Sequence, residues 1–154
     1  MNKVNLIFID IDGVLNSEHF YEYTDNYTWD MFDPASVHLL NKLIEETNSM
    51  LVLSSDWRKT YGVYEVKKIF KQNKIKGIIV GCTPTILNPN RGLEIQLYLK
   101  HLSKKNEINY VILDDDPNLK ISIQNEQIEH FVQINPEFGL CFKDYEKASK
   151  ILEQ

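Results

Sequence analysis

The stretch from Val4 to Ile9 is apolar at nearly every position and stops on two aspartates, Asp10 and Asp12, with Gly13 directly behind them. A strand with one wet face alternates apolar and polar side chains. An unbroken apolar run instead suits a strand covered on both faces, as in the middle of a parallel sheet. Parallel neighbours need long crossover connections, so such a strand calls for helices elsewhere in the chain. The two negative charges at its mouth either solubilise a loop or await something positive.

The rest of the sequence repeats this arrangement. Met50–Leu53 reads as a strand ending in Ser54 and Ser55, Gly77–Val80 as another, and Tyr110–Leu113 as one running into Asp114, Asp115 and Asp116. His130–Ile134 is the last. Between them, Asp33 and Pro34 offer an N-cap and a first-turn proline to a helix with Val37, Leu40, Leu43 and Ile44 on one face. Further helices are predicted over Val63–Gln72, over Gly92–Lys104 and from Asp144 onward, after a turn at Gly139. Residues 81–91 form a Pro/Asn-rich loop. Residues 16–33 are polar and aromatic without a period, and read as a loop or small flap. Strands alternating with helices predict an α/β fold: a three-layer, Rossmann-like sandwich with a mainly parallel central sheet. With 154 residues, no repeats and no linker-like segment, a single domain over residues 1–154 is expected.

Composition excludes several classes. With 43% hydrophobic and 25% charged residues, the chain has the makeup of a globular domain rather than a disordered one. A net charge of −5 gives no global basic field for nucleic acid or anionic membrane, and no Lys/Arg stripe stands out. No run approaches the ~20 apolar residues of a membrane span, and the N-terminus lacks the pattern of a signal peptide. A cytoplasmic location without membrane contact is expected. Cys82 and Cys141 match no metal spacing and read as reduced thiols. The histidines at 19, 38, 101 and 130 form no constellation.

Three of the strands thus end in oxygen-bearing side chains: Asp10/Asp12, Ser54/Ser55 and Asp114/Asp115/Asp116. Ligands of open α/β sheets bind at the carboxyl ends of the strands, so these ends predict one site. Carboxylates gathered there repel one another unless some protonate or share a cation. Hard oxygen donors without histidine or cysteine select Mg2+ or a similar ion over zinc, and Mg2+ commonly leaves positions open for phosphate oxygens. A carboxylate beside such an ion can attack phosphorus.

The segment FIDIDGVLN resembles motif I of the haloacid dehalogenase (HAD) superfamily, LVLSS resembles its motif II, and VILDDD its motif IV, in the right order across residues 4–116. SSDWR, RGLEIQLYL and the late Gly139-Leu140 further resemble the compact, minimally capped HAD domains associated with RNA-repair proteins. The resemblance implies a phosphatase. Asp10 would be nucleophile and metal ligand. Asp12 would exchange protons with the leaving group and water, its backbone carbonyl also binding metal. An acid at position 12 separates this pattern from the dehalogenases. Gly13 would let backbone N–H groups approach phosphate, and Ser54 with Ser55 would hold phosphoryl oxygens. Arg91 is the preferred stabilising cation, with Arg58 the alternative. Asp114 and Asp115 would complete the metal site, Asp115 foremost, while Asp116 caps the turn at Pro117.

Trp57 and the Tyr21, Tyr23, Tyr27 and Trp29 group read mainly as packing, with one aromatic stacking on a base. The expected substrate is a phosphomonoester, either a nucleic-acid terminal phosphate or a small nucleotide, with no obligate protein partner. The competing readings are a non-catalytic phosphate-binding or protein-interaction module and a phosphotransferase on the same core.

Overall fold

The computed structural model describes residues 3–102, 107–123 and 125–154. Five strands are present among them: β1 (Lys3–Ile9), β2 (Met50–Leu53), β3 (Ile79–Cys82), β4 (Glu107–Asp114) and β5 (Phe131–Gln133). All pair in parallel, in the order β3-β2-β1-β4-β5. The helices are α1 (Glu18–Tyr23), α2 (Pro34–Thr47), α3 (Trp57–Thr60), α4 (Val63–Gln72), α5 (Arg91–Leu102), α6 (Leu119–Ser122), α7 (Asn125–Ile128) and α8 (Phe142–Leu152).

β1 lies at the centre, as its uninterrupted apolar run requires. Its successive side chains enter different cores. Ile7 and Ile9 join Leu51, Leu53, Val111 and Leu113 against α2, α4 and α8. Leu6 and Phe8 join Val52 and Ile112 against Ile95 of α5 and Leu119 of α6. Each large apolar side chain buried this way contributes about 1.5–3 kcal/mol, and the two clusters make the sheet the middle of three layers.

Local chemistry explains where the elements begin. Asp33 caps α2, its carboxylate accepting from Ala35 N at 2.9 Å, and Pro34 occupies the first turn. α8 starts two residues before the expected Asp144. Cys141 is its N-cap, and Asp144 sits inside the first turn, accepting from Cys141 N at 3.1 Å. β3 falls two residues later than expected. Gly77 is instead a close-approach point, where a Cβ would stand 2.7 Å from Ile44 and 2.9 Å from Leu51. The flap of residues 16–33 is not all loop. Ser17 accepts from Phe20 N at 3.1 Å and starts α1, a helix with no buried residue and therefore no apolar period to detect. The expected end of α5 at Lys104 lies outside the described residues.

Candidate active site

The parallel ladder continues one step past the strands and lines up the predicted residues. Ile9 pairs with both Leu53 and Leu113. Beyond them, Ser54 N donates to Ile9 O at 3.1 Å and Asp10 N to Leu113 O at 3.0 Å. Asp10 therefore stands between Ser54 and Asp114 at the carboxyl edge, and all three are buried.

Asp10, Asp114 and Asp115 each present a carboxylate oxygen, and these oxygens lie within 4.8 Å of one another. Arg91 faces them from the start of α5. Its Nη1 donates to Asp114 Oδ2 at 2.6 Å and to Asp10 Oδ2 at 3.3 Å, and Nη2 lies 3.7 Å from Asp56 Oδ1. Gly92 sets this position, because a Cβ there would overlap the backbone of Ser122 and push α5 away from α6.

One guanidinium does not neutralise three carboxylates taken out of water. Burial raises Asp10 to about 7 despite Arg91 and the Ile11 amide, with Asp115 adding to the rise. Burial and the neighbouring Asp10 charge raise Asp114 to about 6, against Arg91. Asp115 is raised too, chiefly by burial, with Asp114 adding to it and a hydrogen bond with Asp10 opposing it. A compact set of hard oxygens with unfavourable excess charge fits a divalent cation.

Gly13 makes the tight turn, with its own N–H directed into the loop. Its N–H donates to Asn16 O at 2.9 Å and to Asn16 Oδ1 at 3.1 Å, so it is committed within the loop and not offered to phosphate. Glycine is required here because φ is +76°. A Cβ would also overlap the Asp115 carboxylate and come within 3.0 Å of Pro136.

The Asp12 carboxylate lies outside the buried acid group. It is exposed and held from two sides, accepting from Asn16 Nδ2 at 3.0 Å and from Trp57 Nε1 at 2.9 Å. Sequence reading assigned Trp57 to packing and gave Asn16 no part. Trp57 does pack, against Phe32, but its indole N–H also fixes the acid. The proximity of SSDWR to a motif was the only available signal.

The two serines differ. Ser55 Oγ accepts from Trp57 N at 3.2 Å, capping the turn into α3. Ser54 Oγ is buried and has no hydrogen-bond partner among the described residues, a state that costs free energy until an acceptor arrives. Asp116 caps the following turn as expected, accepting from Asn118 N at 2.8 Å.

The structure removes Arg58 from the phosphate-binding set. Its Nε donates to Thr83 O at 3.0 Å, Nη1 to Ser54 O at 3.2 Å and Ser55 O at 2.9 Å, and Nη2 to Pro84 O at 3.3 Å and Glu94 Oε2 at 2.8 Å. These bonds use the five donors of a guanidinium. Arg58 is a buried brace between the serine turn and α5, the helix that carries Arg91.

A parallel sheet with acids at two central strand ends, a serine at a third and an arginine above them is the arrangement implied by the likeness to the HAD superfamily. The profile of the HAD domain in Swiss Army Knife RNA repair proteins matches residues 6–144, and the chain belongs to that family. Membership points to a phosphatase-type role, and the buried aspartates form a group able to hold the divalent metal such domains typically use. No curated protein matches the chain. No described helix is long and apolar enough to cross a membrane.

Proposed function

We propose that the protein is a Mg2+-dependent phosphohydrolase that removes a terminal phosphate from a nucleotide or nucleic acid through an aspartyl-phosphate intermediate. The observation that carries this reading is the convergence of Asp10, Asp114 and Asp115 beneath Arg91. Asp10, Asp114 and Asp115 would hold the ion, which would supply positive charge against the phosphoryl oxygens and offset repulsion of the nucleophile.

A carboxylate oxygen of Asp10 attacks phosphorus in line, forming the acyl-phosphate bond as the bond to the leaving oxygen breaks. Asp12 gives that oxygen its proton. Now ionised, Asp12 takes a proton from water, which attacks the acyl phosphate and restores Asp10 with release of inorganic phosphate. Arg91 neutralises equatorial phosphoryl oxygens, and the unpartnered Ser54 hydroxyl donates to one of them. Trp57 and Asn16 keep the Asp12 carboxylate oriented through both steps. The free thiols of Cys82 and Cys141 are in keeping with work in the reducing cytoplasm.

The test is release of inorganic phosphate from a panel of nucleotides and 3′- or 5′-phosphorylated oligonucleotides, with Mg2+ or with chelator, for wild type and Asp10→Asn. Metal-dependent release that vanishes in the variant is expected. Absence of turnover on every ester would leave a phosphate-binding module, and transfer to an acceptor without free phosphate would make the protein a phosphotransferase.

A further inference from the structure

Trp29 of the flap and Tyr61, just after α3, lie stacked with ring centroids 4.6 Å apart and planes inclined by 17°. Both are solvent-exposed, at 50% and 39%. They continue inward to the buried Trp57, whose ring lies 5.7 Å from Trp29 and 5.1 Å from Tyr61. Trp57 in turn bonds to Asp12. The aromatic step therefore starts at the residue assigned to protonate the leaving group and ends in solvent. Folding alone does not account for it: Phe32 and Trp57 already fill the core beneath, and Trp29 leaves half of a large apolar surface wet.

The flap is also fixed in place. Asn73 accepts from Phe32 N at 2.8 Å and donates to Asp30 O at 2.8 Å, pinning the backbone directly after Trp29. The platform is thus preorganised, which lowers the cost of binding a flat ligand.

Charge identifies the ligand further. Between Trp57 and Lys76 the chain has seven basic residues and one acid, Glu65, against a net −5 for the whole protein. Lys59, Lys67, Lys68, Lys71, Lys74 and Lys76 are all exposed. Lys59, Lys68 and Lys76 are ion-paired with Asp56, Glu65 and Glu45, and Arg58 is buried, so the basic flank rests mainly on Lys67 and Lys71, one turn apart on α4.

We propose that Trp29 and Tyr61 are a stacking platform for the base next to the scissile phosphate of a single-stranded nucleic-acid end, with the adjoining phosphates running along α3 and α4. This rests on the phosphohydrolase reading for the scissile phosphate, whereas the stacking itself does not require turnover. Bases offer π-faces to aromatic rings whatever their sequence, and the backbone supplies regular charge for the lysines.

Trp29 and Trp57 are the only tryptophans, so emission reports this site directly. Metal-free protein is titrated with an unphosphorylated single-stranded decanucleotide. Saturable quenching is expected, weakened about ten-fold by Trp29→Ala or Tyr61→Ala, and weakened by added salt and by Lys67→Glu/Lys71→Glu. In turnover, either platform variant should lower kcat/KM for a terminally phosphorylated oligonucleotide about ten-fold more than for glycerol phosphate, while Trp29→Phe retains most of the preference. Equal binding of a mononucleotide and the decanucleotide would overturn the proposal. So would preference for a phosphopeptide, or equal losses on oligonucleotide and glycerol phosphate. Quenching without hydrolysis of any ester would sink the phosphohydrolase reading and leave the platform standing.

Discussion

Asp10 and Asp12 are separated by a single residue, yet they live in opposite surroundings. Asp10 is buried beside two other carboxylates and an arginine, and burial pushes its carboxyl up to about 7. Asp12 is exposed, clear of the other acids and oriented by neutral donors. The last ladder bond of β1 turns one residue inward, and the turn at Gly13 delivers the next acid outward. Under the proposed roles, the nucleophile and the proton carrier occupy different dielectric surroundings, and one short turn supplies both.

The two aspartates can be set against each other by substitution. Asp10→Asn should lower phosphate release by about 10^4-fold or more, since no nucleophile remains, and Asp12→Asn by about 10^2–10^4-fold, the usual worth of general acid–base catalysis. Single-turnover assays with radiolabelled substrate check this. If Asp12→Asn traps no phosphoenzyme while Asp10→Asn retains turnover, the assignment is reversed.

The two arginines extend the comparison. Arg91→Ala should cost about 10^2–10^3-fold in kcat by removing charge from the reacting group. Arg58→Ala should instead destabilise the fold by about 3–5 kcal/mol, measured by urea unfolding, because Glu94 is left buried without its partner. A stable but inactive Arg58→Ala would contradict the brace.

A third measurement uses acidity. Asp10 and Asp114 have folded-state values near 7 and 6, above the ordinary carboxylate value of 3.8. Between about pH 4 and 7 the folded chain therefore holds more protons than the unfolded one, so stability falls as pH rises through that window. Melting of the metal-free protein should show a lower Tm at pH 8 than at pH 5. Mg2+ should raise Tm more at pH 8, and Asp10→Asn should flatten the slope. The smallest effect belongs to Trp57→Phe, which keeps the ring but loses the bond to Asp12. A roughly three- to ten-fold fall in kcat is expected, in keeping with about 1 kcal/mol for one hydrogen bond, with Tm changed by a few degrees at most.

What the sequence discloses about this molecule follows from the range of the forces involved. β1, β2 and the capped start of α2 depend on local periodicity and on side chains next door, and they stand where Ile9, Leu53 and Asp33 indicate. Asp10, Ser54 and Asp114 are legible as strand-end residues because a parallel sheet brings such ends together. The two arginines are not separable that way. Both lie near motifs, and only the acceptors that fold around Arg58, four backbone carbonyls and Glu94 36 positions away, decide which is consumed inside the protein. Trp57 is likewise ambiguous, because its bond spans 45 positions to Asp12 while its apolar body has every reason to be buried. The later start of β3 goes with an irregularity in its pairing to β2 between Leu51 and Val52, a tertiary feature that local propensity does not contain.

The glycine at position 13 carries an implication for how this lineage can vary. The space its missing Cβ leaves is occupied by a side chain from a strand end about a hundred residues later, that of Asp115. Ala at 13 would meet both a positive φ and a carboxylate in its place, and only the second objection can be lifted by change at 115. Position 13 therefore stays closed to a side chain whatever stands at 115, because the positive φ remains.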